Sequence, residues 1–149
     1  MSAHPLMTMP AWMLLGFAAW TAFLLLSTIG VYRLSRVLGG RAGMADFPAD
    51  PVEGHDWYRR SMRAHANCVE NLPVFAAIVL ALGVGEVSGP VVDALSTAVL
   101  IARVTQSTVH VCLVQTNSVV TVRFAFFLIQ LLSFLALIAN ITRQALPGS

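Results

Sequence analysis

Lysine is absent from this chain: the nine positions occupied by Lys or Arg are all arginine. Charge of either sign is scarce, since charged residues make up 11% of the sequence, whereas soluble domains carry roughly 25%. Apolar residues reach 57% and the mean hydropathy is +0.76. This composition excludes an ordinary soluble domain and indicates an integral membrane protein. The net charge of +2 is too small to indicate nucleic-acid binding, so we expect no nucleic-acid partner.

Cysteine is nearly absent too. Cys68 and Cys112 both fall in apolar segments, and neither a CxxC pair nor a Cys/His spacing typical of a metal site is present. We therefore expect two reduced, buried thiols and no metal ion.

Long apolar segments predict an all-α integral membrane protein, a bundle of four transmembrane helices in one domain over residues 1–149. The first segment includes Ala11–Val31, which carries no charge and is long enough to span a bilayer. No Lys or Arg precedes it, so we expect a retained helix and not a cleaved signal peptide. The predicted helices cover about residues 10–32, 58–83, 90–115 and 118–143, with a polar loop at 33–57.

The arginines predict the orientation in the membrane. Six of them lie in or beside the 33–57 loop, whereas the linker between the second and third helices has none. The positive-inside rule then places the loop in the cytoplasm and both termini on the opposite side of a multi-pass membrane protein. In a bacterium this is the inner (plasma) membrane.

Three of the predicted helices each carry one polar stripe at helical spacing. The stripes are Arg63, Asn67 and Glu70 in the second helix, Arg103, Gln106 and His110 in the third, and Arg123 and Gln130 in the fourth. With the predicted topology they converge in the cytoplasmic half of the bundle. Ionisable residues at membrane depth normally face an interior or a wet cavity.

The stripes contain more arginines than acids, because three arginines face one carboxylate, Glu70. If the polar stripes served only to join helices by ion pairs, each charged residue would need one partner of opposite charge. The surplus favours binding of an anionic cytoplasmic metabolite with carboxylates or phosphates. Arg60 extends the stripe, Asn71 borders it, and His65 lies between it and the neighbouring face. Arg60 and His65 are predicted to support the pocket more than to touch the ligand.

The segment "RAHANCVENLPVF" resembles the second-helix signature of the MAPEG family, the membrane-associated proteins in eicosanoid and glutathione metabolism. That pattern is Arg-x-x-x-Asn-x-x-Glu followed by Pro, met here by Arg63, Asn67, Glu70 and Pro73. The resemblance extends over most of the chain, which is similar to a divergent, bacterial-type member of the family. It implies a homotrimer with glutathione as co-substrate, held between subunits by the three motif residues.

The same resemblance makes Arg123 the candidate that stabilises the glutathione thiolate and so catalyses attack on an electrophile. Arg103, Gln106, His110 and Asn71 are then further glutathione-binding candidates. The family's studied enzymes carry tyrosines where this chain has Gln106 and His110.

Three functions follow from these features. The first is a glutathione transferase or peroxidase acting on small apolar electrophiles or hydroperoxides that arrive through the lipid bilayer. The second is a non-catalytic scaffold of the same family that binds lipid or glutathione. The third is a haem-binding bundle with His65 and His110 as axial ligands, which is the least favoured, so we expect no haem.

Overall fold

The computed structural model describes residues 7–48 and 52–145, and the regular secondary structure of this part of the chain is all helical, without strands. Its elements are α1 (Met9–Leu24), a π-helical turn (Leu25–Gly30), α2 (Val31–Leu38), α3 (Asp56–Val84), α4 (Pro90–Cys112) and α5 (Asn117–Ala145). The all-α prediction is confirmed.

The first helix is longer than predicted. α1, the π-helical turn and α2 form one continuous helix, Met9–Leu38, so the polar loop begins at residue 39 and not at 33. The end of the apolar run is not the end of the helix, because Arg33 and Arg36 are compatible with helical structure. The helix stops instead at Gly39 and Gly40, and Gly40 adopts φ +64°.

The turn between α4 and α5 also differs from expectation. α4 ends at Cys112, where Leu113 turns extended (φ −103°, ψ 142°), so the helix is three residues shorter than predicted. The hydroxyl of Thr116 accepts a hydrogen bond from the Val119 amide at 3.3 Å, as an N-cap does. The N-cap of α5 is therefore Thr116.

α4 occupies the centre of the bundle and packs against α1, α3 and α5. Phe17, Phe75, Val99 and Leu137 are completely buried. The rings of Phe17 and Phe75 lie 6.0 Å apart, and Phe75 stacks on Phe134 at 5.9 Å. These aromatic contacts join α1, α3 and α5 around α4.

Three helices are long and apolar enough to cross a membrane: Met9–Leu38, Asp56–Val84 and Asn117–Gln144. α4 does not belong to this group, because polar residues lower its average hydropathy. Five of its polar residues are buried in the bundle interior, namely Ser96, Arg103, Gln106, Ser107 and His110. The described chain thus has three candidate spans and a fourth, central helix, as expected of an integral membrane protein.

The polar loop folds back onto the start of α3. Tyr32 of α2 stacks on Tyr58 at 4.1 Å, and the Arg33 Nε donates to the Tyr58 hydroxyl at 2.8 Å. Gly54 adopts φ +126°, and a Cβ there would lie 2.9 Å from the Tyr32 hydroxyl. A glycine is therefore required where the loop passes the two tyrosines.

The two cysteines have different environments. Cys68 is fully buried beside Thr21, Arg103 and Ser107, whereas Cys112 is exposed at the end of α4. The expectation that both are buried is wrong for Cys112, because α4 ends there and turns its last residue outwards.

Candidate functional site

A wide, open cavity of about 1020 Å³ lies where the first half of α3 meets the end of α4. The loop before α3 and the turn after α4 complete its walls. Its lining residues are Val52, Asp56, Arg59, Arg60, Met62, Arg63, Ala66, Asn67, Glu70, His110, Val114 and Gln115. One helix, α3, supplies most of them because residues three, four and seven apart share one face.

The motif residues Arg63, Asn67 and Glu70 line this cavity together. Arg63 and Glu70 are exposed in the single chain, and Asn67 is half-buried. Seven residues separate the arginine from the glutamate, which corresponds to about 10 Å along a helix. The Glu70 carboxylate makes no hydrogen bond or ion pair with the described residues. The cavity thus has cationic groups at one end and a free carboxylate deeper along α3.

Two more arginines strengthen the positive end. Arg59 pairs with Asp56 one turn earlier, and both side chains are largely exposed. Arg60 donates from Nε to the carbonyl oxygen of Val111 at 3.4 Å, where α4 has no further amide to offer its last carbonyls. Arg60 therefore lines the cavity and also joins α3 to the end of α4.

His110 enters the cavity from α4 and is only 3% exposed. Arg60, Arg63 and Arg123 are close enough to act on it electrostatically. Three arginines, Arg59, Arg60 and Arg63, line this end of the cavity, which favours an anionic occupant.

Arg103 has a different position from the one predicted. It is 1% exposed and donates from Nη2 to the Gln130 Oε1 at 2.6 Å. Its guanidinium lies 5.7 Å from the centre of the Phe17 ring. Arg103 therefore links α4 to α1 and α5 inside the bundle and does not line the cavity.

Four other predicted residues also lie outside the cavity lining in the single chain. Gln106 is buried and donates from Nε2 to the carbonyl oxygen of Arg123 at 3.1 Å. Arg123 is half-buried, and Asn71 donates to the Asn67 carbonyl at 2.7 Å. The Nδ1 of His65 is buried without a hydrogen-bond partner among the described residues. His110 lines the cavity, whereas His65 does not.

Several lining residues were not predicted from the sequence. Arg59 and Asp56 were detectable, because they lie four and seven residues before Arg63 and continue the same helical face. Val52, Val114 and Gln115 come from the loop and the turn, whose positions depend on tertiary packing. Met62 and Ala66 carry no chemical signal that separates them from other apolar residues.

A model of the MAPEG family matches residues 9–142, nearly the whole chain. No curated protein and no solved structure matches the chain.

Proposed function

The chain belongs to the MAPEG family, and from this premise we propose that it is a membrane-embedded, glutathione-dependent transferase or peroxidase. The observation that carries the proposal is the open cavity, in which Arg63, Asn67 and Glu70 of the family signature stand together with Arg59 and Arg60.

The charges of the cavity match those of glutathione. The tripeptide has two carboxylates, one ammonium group and a thiol, and is a net anion at neutral pH. Arginine forks bind carboxylates by paired hydrogen bonds, and the free carboxylate of Glu70 suits the ammonium. Asn67 and His110 offer further hydrogen bonds from the same walls.

Catalysis is assigned to the thiolate of bound glutathione. A thiol titrates near pH 8.5, and a nearby cation raises the fraction of the reactive thiolate. Arg123 is the candidate cation, since it lies within electrostatic range of Arg63 and His110 at the cavity. The apolar electrophile or hydroperoxide enters from the bilayer, and the apolar walls of the cavity, such as Met62 and Val114, are available to receive it.

The assembly is proposed to be a homotrimer of four-helix subunits with glutathione between them. Arg63 and Glu70 are exposed in the single chain although α3 is a candidate membrane span. Ionised groups facing lipid are costly, and a neighbouring copy that covers this face removes the cost. The loop before α3 is placed in the cytoplasm and the termini on the opposite side, on the distribution of arginines.

A non-catalytic scaffold that binds lipid or glutathione is the second candidate. One observation favours it: Arg123 does not line the cavity within a single chain. If no neighbouring subunit brings Arg123 to the sulfur, the site binds glutathione without activating it.

The test is thermal stability in detergent with and without millimolar reduced glutathione. A ligand that binds only the folded state raises stability by RT ln(1 + [L]/Kd). We expect a rise for the wild type that is lost in Glu70→Gln. Glu86→Gln is the matched control, because Glu86 lines a separate cavity formed by residues before α1, the end of α3 and the start of α4.

The absence of any shift in the wild type would remove the basis for a glutathione site. A shift without conjugation of a generic electrophile such as 1-chloro-2,4-dinitrobenzene would favour the scaffold. Conjugation that falls sharply, to a low but measurable rate, in Arg123→Ala would favour the enzyme.

A further inference from the structure

Gln106 is turned away from the open cavity and towards α5. Its side chain is 7% exposed, and its Nε2 donates a hydrogen bond to the main-chain carbonyl oxygen of Arg123 at 3.1 Å. Arg123 lies in the second turn of α5, which begins at Asn117. The bond therefore fixes the helix backbone at the residue that carries the candidate catalytic guanidinium.

The same two residues hold buried atoms without partners in the described part of the chain. The Gln106 Oε1 is an acceptor and the Arg123 Nε is a donor, and neither makes a hydrogen bond. Leaving a buried polar atom unpaired is unfavourable, and the Gln130 Nε2 is also buried without a partner among the described residues, so both buried glutamines are only partly satisfied. An apolar residue of the same size would fill the position without an orphan acceptor.

A second glutamine on the neighbouring turns gives a comparison. Gln130 of α5 is 1% exposed and accepts the Arg103 hydrogen bond at 2.6 Å. It also joins α4 to α5, but it contacts neither Arg123 nor the cavity lining by any hydrogen bond. Gln106 and Gln130 thus share residue type, burial and helix pair, and differ in whether they hold Arg123.

We propose that Gln106 is a positioning residue for the reaction: its bond to the Arg123 carbonyl directs the Arg123 guanidinium towards the sulfur of bound glutathione. This inference rests on the proposed function, because it concerns the same site. Gln106 then contributes through Arg123 and does not need to touch the tripeptide.

The experiment combines Gln106→Met with the wild-type and Arg123→Ala backgrounds, and uses Gln130→Met as the control. The readout is conjugation of 1-chloro-2,4-dinitrobenzene with reduced glutathione. In the wild-type background we expect Gln106→Met to lower kcat about tenfold with little change in KM for glutathione. In Arg123→Ala it should cause no further loss, since residues that act as one unit are not additive. Gln130→Met should change kcat by the same factor in the wild-type and Arg123→Ala backgrounds.

Hydrogen exchange of residues 119–127 without glutathione tests the same link independently of activity. We expect faster exchange in Gln106→Met than in the wild type, and a smaller increase in this segment for Gln130→Met, whose lost hydrogen bond lies further along α5. Equal losses of kcat in both backgrounds, or unchanged exchange in Gln106→Met, would overturn the assignment. A wild type that does not bind glutathione would instead overturn the proposed function, and the exchange result would still decide whether Gln106 holds α5.

Discussion

Single residues at this site have double roles, and Arg60 is the clearest case. Its guanidinium lines the cavity and also donates to the Val111 carbonyl at the end of α4. Its neighbour Arg59 lines the same cavity but, among the described residues, pairs with the exposed Asp56. Two adjacent arginines with similar access to a ligand therefore differ in what they do for the fold.

We predict that Arg60→Ala lowers the free energy of unfolding by about 1 kcal/mol, since a cation at a helix C-terminus contributes on this scale. Arg59→Ala should change it much less, because exposed ion pairs contribute little. Unfolding by SDS titration in mixed micelles measures both. Equal effects of the two variants would contradict the capping role.

The buried pair of Arg103 and Gln130 leads to a second prediction at this scale. Gln130→Met leaves the guanidinium without its acceptor at a completely buried site, and should cost about 2 kcal/mol. The double variant Arg103→Met/Gln130→Met should lose less than the sum of the single losses, because it removes the unpaired charge as well.

The same SDS titration, run as a double-mutant cycle, measures this coupling. Additive losses would show that the hydrogen bond does not couple the two residues. Glutathione affinity should stay within about twofold for Gln130→Met, in keeping with a pair outside the cavity lining.

At the scale of elements, the loop between α2 and α3 forms one wall of the site. Val52 lines the cavity, and Gly54 follows it against the stacked rings of Tyr32 and Tyr58. The stack is strengthened by the Arg33 hydrogen bond to Tyr58. The position of this loop wall therefore depends on the contact between α2 and α3.

We predict that Gly54→Ala destabilises the protein by about 3 kcal/mol and weakens glutathione binding. The new Cβ meets the Tyr32 hydroxyl at 2.9 Å and a Tyr58 ring carbon at 3.0 Å, in addition to the unfavourable φ of +126°. Gly40→Ala is the matched control, because Gly40 also has positive φ but nothing lies within 4 Å of its Cβ position. It should cost about 1 kcal/mol and leave glutathione binding unchanged.

Thermal unfolding measures the loss of stability, and calorimetric titration with glutathione measures the loss of binding. If Gly40→Ala weakened glutathione binding as much as Gly54→Ala, the loop contact with Tyr32 and Tyr58 would not explain the loss.

At the scale of the whole molecule, the different exposure of the two cysteines reports the orientation in the membrane. Cys112 is exposed at the end of α4 that faces the proposed cytoplasmic side, and Cys68 is completely buried. A membrane-impermeant maleimide should label the protein in inverted vesicles and not in intact spheroplasts. Cys112→Ser should abolish the labelling, and labelling from the outer side would reverse the proposed orientation.

The proposed trimer is tested at the same scale by the molar mass in detergent from light scattering. The mass of the protein component should be three times the 16.0 kDa of the chain. A single-chain mass in a sample that binds glutathione would contradict a site between subunits. A single-chain mass would also mean that no neighbouring copy covers the charged face of α3.

The sequence by itself determined the helical class and the membrane setting, because long apolar segments have few alternatives in a bilayer. It also identified Arg63, Asn67 and Glu70 as a shared face, since helical spacing depends only on local geometry. The family resemblance followed from the same residues and is confirmed over residues 9–142. Local spacing did not determine where the first helix ends, because polar residues continue it to Leu38.

Only the tertiary structure decided which polar stripes share a cavity. Arg103 and Gln106 lie on one face with His110, yet His110 reaches the cavity while the other two bond to α5. The physical reason is that the spacing of a polar stripe determines which side of its own helix the residues occupy. Which residues they contact at each depth of the bundle depends on how the helices pack together. The loop and turn residues Val52 and Gln115 entered the site for the same reason, since contacts distant in sequence position them.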